Sequence, residues 1–249
     1  MICARFYKFY LSLMLPKGVK MLSTTRHLAG GVSQGNYANF NLATHVGDNP
    51  EHVVHNRELL IERFSLPSEP KYLEQTHSNI CLNTQSSECV GDAIISSTPG
   101  QICLVMTADC LPVFISNQTG TQVGIAHAGW KGLVGGVLES LVDNFDDNDL
   151  VVHLGPAISQ PHFEVGEEVL NQYLEKDPAL SKAFVAKGER YYLDIYRAAR
   201  IVLNTLGVSQ ISGGDQCTYA QADKYFSYRR DGANSGRMAH LIWFEWLFG

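Results

Sequence analysis

The chain has 249 residues, 45% of them hydrophobic and 18% charged, with a formal net charge of −6 at pH 7. That balance supplies enough apolar material for a packed core and excludes an intrinsically disordered chain. The acidic excess argues against a nucleic-acid surface, although a local basic cluster can still hold a small anion. No run of about 18 apolar residues occurs, so no membrane-spanning helix is expected. Cys3, Cys81, Cys89, Cys103, Cys110 and Cys217 are scattered rather than dense. They read as reduced thiols of a reducing compartment, which places the protein in the cytoplasm.

In chain order, residues 1–15 (MICARFYKFYLSLML) set Arg5 and Lys8 before a short apolar run, loosely like a signal peptide. Polar residues interrupt the run, and Pro16-Lys17 follow without a small-residue cleavage site. We read residues 1–15 as an extension or a mis-assigned start. No repeat, low-complexity stretch or linker divides the remainder, so residues 16–249 form a single domain. Residues 23–50 are rich in Gly and Asn and read as a long ordered loop of the kind that carries binding groups. Val53, Val54, Leu59, Leu60, Ile61 and Phe64 recur at helical spacing, so a helix over 51–64 follows.

The middle of the chain reads as sheet. Ile102–Met106 and Val113–Ile115 are short apolar strands, Asn117–Gly120 supplies turn chemistry, and Val123–Ala126 returns as a strand ending at His127. After Gly129 the positions Leu133, Val134, Val137, Leu138, Leu141 and Val142 predict a helix. Two strand–helix units come next: Leu150–Leu154 with Val165–Leu174, and Tyr191–Leu193 with a helix opened by Asp194 as N-cap. Val208–Ser212 and Arg237–Phe244 close the fold as strands. The mixture with at least one hairpin predicts an α+β (mixed α/β) layered sandwich, with mixed sheets flanked by helices.

Three potential metal ligands stand at strand ends: His77 in QTHS, Cys110 in TADC and His127 in AHAGW. Imidazole and thiolate suit zinc, and catalytic zinc sites use three protein ligands and keep a fourth position open. Separations of 33 and 17 residues are not the close pairs of a zinc finger. The surroundings say more: Cys110 lies where one strand breaks before the next, and the glycines after His127 allow close approach to the backbone. A hairpin joined through Asn117–Gly120 brings the Cys110 and His127 regions together.

From about Pro16 onward, the stretches STTRHLAGGVSQGNYANFNLATHVGDNP, LEQTHSN, DAIISSTPGQICLVMTADCLPVF, AHAGWKGL, LGPAISQPHFEVGEEV, DIYRAAR and FSYRRDGANSGRMAHLIW occur in order. In these the chain resembles the bacterial laccase-domain proteins. They are also described as multicopper polyphenol oxidase-like proteins, purine nucleoside phosphorylases or peptidoglycan-editing factors. Ser78 stands where the family often has Gly, and Lys131 where it usually has Arg. The resemblance implies zinc on His77, Cys110 and His127, and a fold similar to that of cysteine-hydrolase-like deamidase toxins. It also implies purine nucleosides and phosphate as partners, through phosphorolysis of adenosine, inosine, guanosine or methylthioadenosine and hydrolytic deamination of adenosine. Zinc can bring bound water towards a pKa of about 7, which makes deamination chemically credible.

Around the trio, Asp109 is a candidate general acid/base, or a carboxylate that orients a ligand histidine. Arg26, with Asn41 downstream, and Gln75 are candidate substrate or phosphate contacts, since guanidinium forks suit phosphate. Arg229, Arg230 and Arg237 form a second cluster, read as structural ion pairing with Asp231 or Asp223. Cys217 reads as a buried thiol and Trp130 as core. Two other chemistries compete. One is a Cys110–His127 hydrolase that edits peptidoglycan precursors. The other is copper-dependent phenol oxidation, against which stands the absence of any His-x-His pair among nine histidines, although copper competes for such ligands. A monomer is the expected assembly.

Overall fold

A computed structural model describes residues 15–246. The expected extension therefore lies outside the described residues except for Leu15. The fold is α+β, as the mixed pattern predicts, and stacks four layers.

A six-stranded sheet is the centre. It contains β2 (Cys81–Asn83), β3 (Ala93–Ser96), β5 (Leu111–Asn117), β6 (Val123–Ala128), β7 (Leu150–Leu154) and β11 (Gln210–Gly213) in the order β11-β7-β5-β6-β3-β2. Its three inner pairings are antiparallel, and parallel strands close both edges. A second, antiparallel sheet joins β1 (Val19–Ser23), β12 (Met238–Phe244) and β4 (Cys103–Thr107) in the order β1-β12-β4. A small antiparallel sheet of β8 (Glu164–Val165), β10 (Arg190–Leu193) and β9 (Phe184–Lys187) completes the strands.

Alternation along each strand fixes the layers. Val113 and Ile115 of β5, with Ala93 and Ile95 of β3, face a core shared with four helices. These are α2 (Trp130–Gly135), α3 (Val137–Asp143), α4 (Glu167–Lys176) and α5 (Ile195–Thr205). The residues between, Ile94, Phe114 and Ile125, pack against Cys103, Val105, Ile242 and Phe244 of the second sheet. The far face of that sheet, with Leu104, Met106, Ala239 and Leu241, is covered by Phe40, Leu42 and Leu60. Leu60 comes from α1 (Pro50–Phe64) and the two others from the Asn-rich loop. Both central sheets are thus buried on both faces, which is why their strands read as unbroken apolar runs.

Several expectations shift by a residue or two. The helix predicted over Val165–Leu174 begins at Glu167, because Glu164–Val165 form β8. The helix expected after Gly129 is two: Gly136, at φ 94°, ends α2 and opens α3. That backbone region is open to glycine at little cost. Asp194 caps α5 as expected, its carboxylate accepting the Arg197 N–H at 3.0 Å.

The long loop is ordered from within by amides. Asn56 of α1 is buried; its Nδ2 donates to Ser33 Oγ and the Asn41 carbonyl, both at 2.9 Å, while its Oδ1 accepts the Val32 N–H. Among the described residues, no helix is long and apolar enough to cross a membrane.

Candidate metal centre

The β5–β6 register places Pro112 opposite His127 and Leu111 opposite Ala128, so Cys110, one residue before β5, lies beside the end of β6. The chain turns from β4 into β5 through Asp109, whose φ is 89°. A carboxylate anchored on both oxygens holds that backbone: Oδ1 accepts from Thr218 Oγ at 2.6 Å, and Oδ2 from Ser227 Oγ at 3.0 Å and the Arg229 N–H at 2.6 Å. His77 also sits at positive φ, 62°, in the irregular segment before β2. Such conformations are uncommon for residues with a Cβ and persist where surrounding contacts impose them.

One ligand atom each of His77, Cys110 and His127 lies within 4.8 Å of the others, with Cys110 Sγ 3.9 Å from His77 Nε2. Both histidines are held by one carboxylate. Asp92, fully buried, accepts from His127 Nδ1 at 2.8 Å and the His77 N–H at 3.0 Å through Oδ1. Its Oδ2 takes the Ser78 N–H, Ser78 Oγ and the Thr76 N–H at 2.6, 2.7 and 3.1 Å. The bond to Nδ1 leaves Nε2 of His127 as the atom free to ligate. Gly129 lets the three converge: a Cβ there would lie 2.9 Å from both Cys110 Sγ and His77 Cδ2.

The electrostatics favour the charged forms. Burial alone would push the Cys110 thiol up, but the charge of His127 and hydrogen bonds from both histidines pull it down to about 6. Burial opposes protonation of His127, yet Cys110 and Asp92 push it up to about 9. Asp92 is held well below the usual carboxylate range, since hydrogen bonds from His127 and Ser78 outweigh its burial. The donor set fits a metal: bonds of about 2.0–2.3 Å place tetrahedral ligands roughly 3.3–3.8 Å apart, close to the 3.9 Å between Cys110 Sγ and His77 Nε2.

The other expected residues are placed differently. The orienting carboxylate is Asp92, not Asp109, which binds the segment from Thr218 to Arg229 instead. Sequence reasoning missed Asp92, although it opens one of the matched stretches; a carboxylate 35 residues from its histidine has no local signature. Arg26 gives Nε and Nη1 to the carbonyls of Ala38 and Ala222 and stacks over Phe226. Gln75 clamps both polar backbone groups of Met106 in β4, at 2.7 and 2.8 Å. Asn41 is buried and fully engaged, with Ala43, Asp48 and the Arg237 N–H. Gln75 and Asn41 steady the framework and have little hydrogen-bonding capacity left for a substrate, whereas Arg26 keeps Nη2 without an acceptor among the described residues. Arg230 pairs with Asp231 at 2.8 Å, as expected of the cluster; Arg229 and Arg237 form no ion pair among the described residues. Cys217 is half-buried and accepts backbone N–H groups of Ser159 and Ala220. Trp130 packs partly against the helical core.

A family model described as "Multi-copper polyphenol oxidoreductase laccase" matches residues 20–245. The chain belongs to this family. Within this laccase family, the Escherichia coli (strain K12) protein named purine nucleoside phosphorylase YfiH is 48% identical, over 92% of this chain and 95% of that one. A Haemophilus influenzae relative named purine nucleoside phosphorylase is 44% identical over 93% and 96%. The crystal structure of Neisseria meningitidis protein NMB0706 superposes with a TM-score of 0.87 at 44% identity, covering 93% of this chain and 96% of that one.

Proposed function

We propose that this laccase-family chain is a zinc-dependent purine nucleoside phosphorylase, with adenosine deamination as a second activity. The observation that carries the reading is the convergence of His77, Cys110 and His127, whose donor atoms lie within 4.8 Å of one another. The names of the relatives give the substrate class: purine nucleosides and phosphate.

His77, Cys110 and His127 would hold the ion, which would supply Lewis acidity to a substrate oxygen. The residues do the rest. Asp92 fixes the tautomer and direction of His127, and Gln75 ties the segment carrying His77 to β4. Asp109 locks the turn that presents Cys110. In phosphorolysis a phosphate oxygen bonds to C1′ as the C1′–N9 bond breaks, and the electron pair leaves on the purine, which takes a proton. A cavity of about 310 Å³ lined by His162, Tyr219 and Arg229 lies beside the Asp109-anchored segment. His162 and Tyr219, stacked with centroids 4.5 Å apart, offer aromatic faces of the kind on which a purine stacks. A reducing compartment, the cytoplasm, fits the free Cys81, Cys89, Cys103, Cys110 and Cys217.

One observation favours a second reading. Cys110, His127 and Asp92 also stand as nucleophile, base and orienting carboxylate of a cysteine hydrolase, for which the family resemblance implies cell-wall precursors as substrate.

The test is product analysis of metal-quantified protein incubated with adenosine, with and without phosphate. Phosphate-dependent adenine and ribose 1-phosphate, together with phosphate-independent inosine, are expected, and both are lost in Cys110→Ala. No purine product from protein carrying a full equivalent of zinc defeats the nucleoside reading. Full activity in metal-free protein, abolished by alkylation of Cys110, establishes the hydrolase instead.

A further inference from the structure

The closing segment carries three arginines whose guanidinium groups are used differently. Arg230 is saturated: Nε and Nη2 bind Asp231 at 3.0 and 2.8 Å, and the carbonyls of Thr218, Tyr219 and Tyr225 take its remaining donors. Arg229 spends Nη1 and Nη2 on the carbonyls of His162 and Glu164. Arg237 uses Nη1 alone, on the carbonyls of Ser235 at 2.6 Å and Gly236 at 3.1 Å. Its Nε and Nη2 have no acceptor among the described residues, and they are not sealed from solvent. Those two atoms form the edge with which a guanidinium grips an oxyanion in bidentate fashion.

The position of that edge follows from the register. Met238 pairs with Thr107, so Arg237 lies across from Ala108, where β4 runs into Asp109 and Cys110. Its backbone N–H is pinned by Asn41 Oδ1 at 3.0 Å. Burial disfavours its charge, and the negative groups that offset this are Cys110, then Asp109. Asp109, however, is already consumed by Thr218, Ser227 and Arg229. Exposed His45 lies within the field of both Arg237 and Arg57, and makes no hydrogen bond of its own among the described residues. In a chain of net charge −6, Arg237 and Arg57 thus set a local positive field, which disfavours a charge on His45. Arg237 is partly desolvated and has no ion-pair partner within contact among the described residues, and an arriving anion offsets the cost of that burial.

We propose that the free Nε–Nη2 edge of Arg237 is an oxyanion seat beside His77, Cys110 and His127, and that it takes inorganic phosphate. The identity of the anion rests on the phosphorolysis reading, and the seat itself does not. Asn41 is a positioning residue for it, holding the Arg237 backbone.

Titration calorimetry of the metal-replete protein with inorganic phosphate tests the seat. Wild type and Arg63→Gln, a surface control on α1, bind phosphate alike, and sulfate competes. Arg237→Gln weakens binding about tenfold or more, and Arg237→Lys, which keeps charge without the fork, falls between. Metal content measured on each variant stays at the wild-type level. Phenylglyoxal labelling of wild type, mapped by peptide mass spectrometry, needs no variant: phosphate protects Arg237 and not Arg63.

Unchanged affinity in metal-loaded Arg237→Gln, or no protection of Arg237, overturns the proposal. If nucleosides are then still cleaved in a phosphate-dependent way, the phosphorolysis reading survives without this seat. If Arg237-dependent oxyanion binding is found with no nucleoside cleavage, the seat stands and that reading falls.

Discussion

Asp92 carries an unusual share of the site. It is a fully buried carboxylate that accepts from both histidine-bearing segments and from Ser78. Replacing it by Asn keeps the volume but removes the charge that favours protonation and orientation of the His127 ring. It also gives an amide N–H where two acceptor oxygens are needed. Partners of this kind are worth about 10–100-fold in metal affinity, so Asp92→Asn is expected to lower zinc affinity by about that factor, measured by competition with a chromophoric chelator. Unaltered affinity would mean that His127 is oriented by packing alone. The trio was named from His and Cys at expected strand ends together with the motifs of the family resemblance, and the fold brings its donor atoms within 4.8 Å of one another. Asp92 and Arg237 were not legible in this way, because their roles depend on which strand lies opposite, and that is a tertiary fact.

At the scale of elements, the hairpin was legible for a physical reason. β5 and β6 are continuous apolar runs, buried on both faces and separated by Asn117–Gly120, whose side chain at Asn117 accepts the N–H groups of Thr121 and Gln122. Short strands such as β2 and β9 carry too few residues to show a period, and which glycine splits the helix after Gly129 is decided by packing. The Asn-rich loop was legible as a loop, but its anchor was hidden on α1. Asn56 satisfies groups at Val32, Ser33, Asn39 and Asn41 from inside the protein. Removing it orphans buried polar groups at about 1–3 kcal/mol each. We expect Asn56→Ala to cost about 3 kcal/mol in urea unfolding, and to loosen Asn41 and with it the Arg237 backbone. A loss under 1 kcal/mol would show that water replaces the amide freely.

Across the whole molecule, two histidines in the central sheets set the response to acid. His240 in β12 is buried, with its ring nitrogens against Ser23 Oγ and Thr107 Oγ, both at 2.9 Å; burial and then the His127 charge push it down to about 3. His153 in β7 bonds Ser212 Oγ at 3.0 Å, and burial brings it to about 4, with Asp215 opposing and Arg200 assisting. Both are neutral in the fold, whereas the unfolded chain protonates them near 6.5. The unfolded state therefore binds more protons below pH 6.5, so stability is complete above that pH and falls as acid is added, until about pH 4 for His153 and pH 3 for His240. His127 does not mask this: its pKa is raised, so its contribution is full below 6.5 and fades only towards about 9. At about 1.4 kcal/mol per pH unit, each histidine removes about 2 kcal/mol between pH 6.5 and 5. Urea midpoints at the two pH values should thus converge in His153→Gln relative to wild type, by the share of that one ring. An equal acid loss in wild type and in both His153→Gln and His240→Gln would assign the sensitivity elsewhere, to Cys110, whose thiol is lowered to about 6 and loses its contribution as pH falls through that value, or to carboxylates.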